Sequence, residues 1–428
     1  MKTNPRFFEV WAPKVRMSVL FLFVLFLPTQ LSTFFFAPFS YISGVKVDYL
    51  APAIYLTDML GIIAIILYAP LITREVRKSA VLFMLFTGFF LAHAFTSTYP
   101  LLALYRLAKL EEIYFIFLIF SHIAKPSAFF PPLVGGGIFE LSLAIVQLYE
   151  KASLQGIFYF FGERAFSAVT PGIAKITLAG VEFVRPYGTF SHPNSMGGFY
   201  LLLYSYLLTT SSRVSLLIKY VGLFITSCLI LVSFSKIAIG IYVIITLWHF
   251  ISKKPTKLCR ICAISKIAVL AVVSSIFLMG RGDPFSFVKR VELAKNALSV
   301  IQKTGGWGTG LGQYLIYSSA FSSRYLFFFK EPVHNILLLF LGEAGIVGTI
   351  ITGYIIYRFA KKNIRSALFF TPGFALIATG MLDHYWLTSQ QNILLITVIA
   401  GLATYELLRR SVRRQNTLHR DDKRSFTK

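Results

Sequence analysis

The chain returns repeatedly to runs of about 20 mainly apolar residues, the length that crosses a bilayer's hydrocarbon core, and nothing else in the sequence constrains the fold as strongly. A segment in hydrocarbon must satisfy its own backbone N–H and C=O groups, which a helix does along its own length. The fold class expected is therefore all-α, a polytopic integral membrane protein. About twelve candidate spans follow from that length rule: 17–38, 50–72, 80–95, 107–124, 127–148, 195–211, 214–233, 237–252, 265–280, 335–357, 366–382 and 390–408. Composition agrees. Apolar residues make up 56% of the 428, and only 14% are charged, against roughly 25% in soluble chains. The first apolar run, Met17 to Phe36, lacks an A-x-A cleavage signature and reads as a span rather than a removed signal peptide.

Lys and Arg number 42 against 18 Asp and Glu. Such an excess suggests nucleic acid, but the basic residues fall in short loops between apolar runs, which is a topology signal. No nucleic-acid partner is expected; the lipid bilayer is. With both termini in the cytoplasm, most of the basic residues lie there, including Arg74/Arg77/Lys78, Lys253/Lys254/Lys257/Arg260/Lys266, Arg358/Lys361/Lys362/Arg365 and the 409–428 tail. That polar tail is expected to be disordered, leaving 1–408 as one transmembrane domain. The same orientation puts two long loops outside, 149–194 and 281–334. In the second, Phe287, Val291, Ala294, Leu298 and Ile301 lie on one face of an amphipathic helix over Phe285 to Lys303, expected on the membrane or over the bundle. Gly305-Gly-Trp-Gly-Thr-Gly-Leu-Gly312 then reads as a tight turn with close backbone approach rather than a nucleotide loop. Cys228 lies in a span, and Cys259 and Cys262 form a C-x-x-C with no further ligands, so neither a zinc site nor a disulfide framework follows.

Two polar islands interrupt this pattern. The first is Arg185-Pro-Tyr-Gly-Thr-Phe-Ser-His-Pro-Asn194; the second runs from Arg281 to Asn335 and ends in Glu331-Pro-Val-His-Asn. Each directly precedes an apolar run, and polar clusters at span ends mark sites because membranes tolerate them poorly. A guanidinium binds phosphate oxygens two at a time, so Arg185 points to an anion site, although an interfacial anchor is the plainer use of such a residue. An isolated Arg290 would read as part of a solvated helix face, with Arg281, Lys295 and Lys303 equally available. His334 at a span mouth could be a polar cap, but imidazole is also the group best suited to take a proton near neutral pH. Glu140 and Glu343 lie within apolar runs and are expected to be structurally paired. The outer loops hold no D-x-D motif or carboxylate cluster for a divalent ion, and the chain holds no G-x-S-x-G for acyl chemistry. No metal and no cofactor are expected.

These segments together resemble the O-antigen ligase and O-antigen polymerase family. Its first signature is similar to 185–194. Its second is similar to Arg290-Val-Glu-Leu-Ala-Lys-Asn-Ala-Leu with Gly308-Thr-Gly-Leu-Gly312, and its third to His334-Asn335 through Gly342-Glu-Ala-Gly-Ile-Val-Gly348. The resemblance covers 185–348, and the span layout extends it to the whole chain. It implies a bacterial inner-membrane glycosyltransferase that moves a glycan from undecaprenyl pyrophosphate to a hydroxyl of lipid A core, a growing glycan or a protein, outside the cytoplasmic membrane. It also implies two Arg residues on the pyrophosphate, matching Arg185 and Arg290 with Arg281 as the alternative, and a His serving the acceptor, matching His334. Tyr187, His192, Asn194, Arg281, Asn335 and Lys236 complete the candidate substrate-binding set. Two departures concern loop shape: Lys236 follows Ser235 where the family often has Arg, and Gly306-Trp307 stand where Pro is common before the glycine turn. The competing expectation is a twelve-span transporter or flippase. Transporters gather polar groups near the midplane, whereas here they gather at outer span ends. A scaffold leaves the Arg and His islands unexplained.

Overall fold

The computed structural model describes residues 5–123, 125–178, 180–211, 215–252, 275, 285–321 and 331–425. Arg281, Cys259, Cys262, the expected span 265–280 and much of the basic 253–266 loop lie outside these residues. The described chain is mostly helical. The helices are α1 (Pro5–Leu25), α2 (Leu56–Leu67), α3 (Ala69–Lys78), α4 (Ala80–Phe95), α5 (Pro100–His122), α6 (Pro126–Glu150), α7 (Pro193–Thr209), α8 (Leu216–Val232), α9 (Lys236–Ser252), α10 (Phe285–Lys303), α11 (Tyr314–Ser318), α12 (Ile336–Asn363), α13 (Ala367–Gly380), α14 (Tyr385–Thr388) and α15 (Gln390–Ser425). Among the described residues six short strands form three antiparallel pairs: β1 (Ser32–Phe34) with β4 (Ala53–Tyr55), β2 (Tyr41–Ile42) with β3 (Val45–Lys46), and β5 (Lys175–Leu178) with β6 (Val181–Val184).

Helix α7 is the hub. Every residue from Ser195 to Leu207 is buried, as expected of a helix apolar on all sides. The main core joins α7 to residues of α1, α5, α6, α8, α9, α13 and α15, with Phe120, Phe129, Phe199, Tyr206, Leu394 and Leu402 among its members. Among the described residues three helices, α6, α12 and α15 up to Ser411, are long and apolar enough to cross a membrane, or four if the bent pair α2–α3 counts as one. Helices α4, α8, α9 and α13 are apolar but shorter. The expectation of about twelve spans is thus not established: windows of span length overran helices that stop early.

Several boundaries change. The segment expected as a span over 17–38 is instead a helix that begins at Pro5 and ends at Leu25, before Pro28 and the strand at Ser32. The 50–72 segment is β4 followed by α2 and α3, which bend by 79°. The tail expected to be disordered continues α15 to Ser425; it contains no Gly or Pro to break a helix and is rich in Arg.

Helix α10 has the bounds expected from its sequence, but its packed face differs. Leu293, Ala297 and Val300 are buried against Ile42, Val47, Tyr314, Val333 and Leu339, while Phe287 and Leu298 are 74% and 58% exposed. Its apolar residues occupy two sides, and a single-face reading of period 3.6 chose the outer one.

The glycine run behaves as a tight turn, with positive φ at Gly305, Gly306, Gly308, Gly310 and Gly312. It is locked to α12, which is broken at Gly345 (φ +68°). A Cβ there would lie 2.0 Å from the Trp307 carbonyl oxygen, so only glycine fits. The break releases helix carbonyls that need other donors. Thr309 N–H donates to Gly342 O (2.9 Å), Gly310 N–H to Glu343 O (3.1 Å), and Ile346 N–H to Gly306 O (2.8 Å). The glycine run therefore supplies part of the hydrogen bonding that α12 gives up.

Candidate functional site

The first island is a hairpin exit held rigidly from below. The pair β5–β6 delivers the chain to Arg185, whose N–H donates to Ala174 O (2.9 Å). Gln147 of α6 accepts from Tyr187 N (2.9 Å) and Gly188 N (2.7 Å) and donates to Gly188 O (3.0 Å) and to Glu163 (2.8 Å). Glu140 accepts from the N–H and the hydroxyl of Thr189, and Glu343 faces the backbone of Gly312 and Tyr314 and the Arg106 charge. Buried Glu140 and half-buried Glu343 thus both have partners, as expected. Gly188 has φ +58°, and a Cβ would meet Glu140 Oε2 at 2.2 Å. These buried anchors fix the turn whose end is the N-terminus of α7.

His192 caps α7, its Nδ1 accepting from Asn194 N (3.1 Å). Tyr187 is buried, and its hydroxyl accepts from Ala174 N (2.9 Å). Both are used structurally in this arrangement. Arg185 reaches the other way: Nε donates to Ser233 O (3.0 Å) and Nη2 to Asn194 Oδ1 (2.7 Å). Ser233 lies just before Lys236, the exposed first residue of α9. Burial pulls the Arg185 guanidinium down to about 10, still charged at neutral pH.

Asn194 passes the connection on. Its Nδ2 donates to Asp383 Oδ2 (3.0 Å). Asp383 is 5% exposed and sits between α13 and α14, where its Oδ1 accepts from His384 N (2.8 Å) and lies 3.5 Å from His334 Nδ1. On the far side of the ring, His334 Nε2 lies 3.5 Å from Glu331 Oε2. Glu331 in turn pairs with Lys289 of α10. One polar chain therefore runs from Ser233 through Arg185, Asn194, Asp383, His334 and Glu331 to Lys289, drawing on segments far apart in sequence.

The charges reinforce one another. Burial alone would raise Asp383, but the His334 contact, with His384 and His192 nearby, holds its carboxyl far below the usual range. Burial likewise works against Glu331, yet His334 and Lys289 hold it low. Burial disfavours protonated His334, but Asp383 and Glu331 outweigh it and raise its pKa. Burial lowers His384 to about 4, so it is neutral; its Nδ1 is 2.8 Å from Thr388 Oγ1. At 3.5 Å neither His334 contact is a formed hydrogen bond, and its buried Nδ1 has no hydrogen-bond partner among the described residues. His334, Asp383 and His384 offer ligand atoms within 4.8 Å of one another and could hold a metal ion, a grouping the sequence reading did not anticipate.

The candidates divide as follows. Arg185, Asn194 and His334 are brought together. Asn335 is a helix cap: Oδ1 accepts from Leu337 N and Leu338 N (3.0 Å each) and Nδ2 donates to Met381 O (3.1 Å). Arg290 is half-buried on α10, and the contact from that helix into the polar chain comes from its neighbour Lys289. Asp383, His384 and Lys289 were missed by the sequence reading, and Glu331 was noted only as part of an island. Asp383-His384 stands at the junction of two apolar runs, so the rule that found the other islands would have found it.

Residues 221–353 match the family model described as O-Antigen ligase. No curated protein matches the chain. The matched region contains Arg290, the glycine run and His334, whereas Arg185 and Asp383 lie outside it and are joined to it by the contacts above.

Proposed function

We propose that this chain, a member of the O-antigen ligase/polymerase family through residues 221–353, transfers a glycan from undecaprenyl pyrophosphate to an acceptor hydroxyl on the outer face of the cytoplasmic membrane. The observation that carries this reading is the polar chain that ties the phosphate-binding candidate Arg185 to the proton-accepting candidate His334 through Asn194 and Asp383. In a single displacement the acceptor oxygen bonds to the anomeric carbon as the bond from that carbon to the pyrophosphate oxygen breaks, inverting the centre. The acceptor proton passes to His334 Nε2. Asp383 steadies the ring from Nδ1 and stabilises the imidazolium that forms, the logic of a carboxylate-backed histidine. Charge builds on the leaving pyrophosphate, where Arg185, with Arg290 or Arg281, stabilises it most.

Transfer of glycan from a purified lipid-linked donor to acceptor in detergent tests this directly. Product should form in excess EDTA and carry the inverted linkage. Loss of activity restored by magnesium or manganese would instead make the His334–Asp383–His384 trio a metal site. Sidedness has its own test. In a background lacking native cysteines, an impermeant thiol reagent on intact cells should label a cysteine at 303 and not one at 257; the reverse pattern overturns the outer site.

Asp383 gives a pH signature. A general base must be neutral, and Asp383 and Glu331 raise the His334 pKa. The rate should therefore climb with pH through a value above the ordinary 6.5. Asp383→Asn removes one of the raising charges, so that limb should move to lower pH while kcat falls. A lower kcat with the limb unmoved would make Asp383 structural only.

A further inference from the structure

A cavity also lies away from His334. A space of about 280 Å³ opens between the end of α4 and the glycine run; the cavity beside Arg106 and Thr388 is about 60 Å³. The walls of the larger space include Thr96, Ser97, Lys303, Thr304, Trp307 and Tyr317, with Gly308, Thr309 and Gly310 at one side and no carboxylate among the described residues. Trp307 is 47% exposed yet held firmly. Its Nε1 donates to Thr96 Oγ1 (3.0 Å), its carbonyl oxygen lies 3.0 Å from His93 Nε2, and Phe89 and His93 pack beside the indole. A fixed aromatic face ringed by hydroxyls suits a sugar ring, which presents C–H bonds to the face and hydroxyls to the rim.

We propose that this cavity is a saccharide subsite in which Trp307 is the stacking platform and Lys303 favours an acidic sugar. The proposal deepens the transferase reading and rests on it. The glycine run bonds directly to Gly342 and Glu343 of α12, the helix that begins two residues after His334, so a glycan engaged by the site has a second place to rest along the same helix. Lys303 has no acidic partner among the described residues; its ammonium lies 5.4 Å from the centre of the Phe321 ring, leaving room for a sugar carboxylate. Trp307 stands where the family resemblance leads one to expect Pro, so the platform belongs to this chain's own specificity.

Saturation-transfer NMR on the purified full chain, with methyl β-glucoside and methyl β-glucuronide as probes, tests the subsite without any transfer chemistry. Ring protons of both sugars should receive saturation, and the glucuronide should bind more tightly. Trp307→Ala should weaken both by about tenfold, the scale of one aromatic contact, while Trp307→Phe keeps part of the binding. Lys303→Ala should bring the glucuronide down to the glucoside. An exposed Trp at a membrane surface is otherwise an interfacial anchor. That role predicts lower thermal stability for Trp307→Ala with unchanged sugar binding, which would overturn the proposal, as would the absence of saturation transfer to the wild type. If Trp307→Ala fails to fold, Trp307→Phe and Lys303→Ala decide the outcome: binding identical to wild type in both rejects the subsite. Sugar binding that persists in a chain without transferase activity would sink the enzyme reading and leave the subsite standing.

Discussion

His334→Ala should lose about 10²–10⁴-fold in turnover, the usual contribution of a positioned general base, while donor affinity stays within a few-fold of wild type. The split follows from geometry. His334 touches Asp383 and Glu331, not Arg185, so removing the imidazole takes away the proton acceptor and leaves the anion-binding arm intact. Its 3.5 Å contacts are loose, as catalytic contacts often are before substrate tightens them. The fold should survive, because the neighbouring Asn335, not His334, caps α12. Single-turnover rates with saturating donor give the chemical step, and donor titration gives affinity. Near-normal turnover in the purified variant would remove His334 from the mechanism. A large loss of donor affinity at unchanged turnover would move it to the binding machinery.

Much of the fold was legible because long apolar runs permit little besides helices. What failed was length. Windows of span size took in Pro28 to Phe36, which leave the helix for a strand, and treated the bent pair α2–α3 as one segment. The α10 helix shows a second limit: Leu293, Ala297 and Val300 repeat with the same spacing as Phe287, Val291 and Ala294, so periodicity alone could not say which side packs. At the site, Arg185 and His334 were legible as polar residues at apolar run ends, and the glycine run as a turn. The connection between them was not. Asn194 reaches Asp383 across 189 positions of sequence, a distance no local pattern encodes, and the carboxylate that raises His334 enters from a loop of two polar residues between apolar runs. Tyr187 and His192, singled out for their polarity, also make contacts no local pattern announces, one to Ala174 N and the other as the α7 cap.

Arg185→Lys should cost roughly ten- to hundredfold in kcat/KM, although the charge is kept. The reason is geometric. Arg185 already spends Nε on Ser233 O and Nη2 on Asn194 Oδ1, contacts that set the plane of the guanidinium. Its Nη1 takes no partner among the described residues and is left for an anion. An ammonium is a single point with no planar fork, so it cannot hold Ser233, Asn194 and a phosphate oxygen in one orientation. A hydrogen bond to a charged group is worth about 1.5–3 kcal/mol, and the full amount appears in the rate only if the bond strengthens as the pyrophosphate leaves. Losing the Asn194 contact also frees Asn194 Nδ2 from its fixed approach to Asp383, so the defect should spread toward His334. The pH–rate limb of Arg185→Lys should therefore shift slightly, whereas a variant weakened only in donor binding would keep the wild-type limb. Steady-state kinetics across pH, with thermal unfolding as a check on folding, separate the two. Wild-type kcat/KM in a folded Arg185→Lys protein would show that charge alone suffices and that the two-pronged phosphate contact is not part of the reaction.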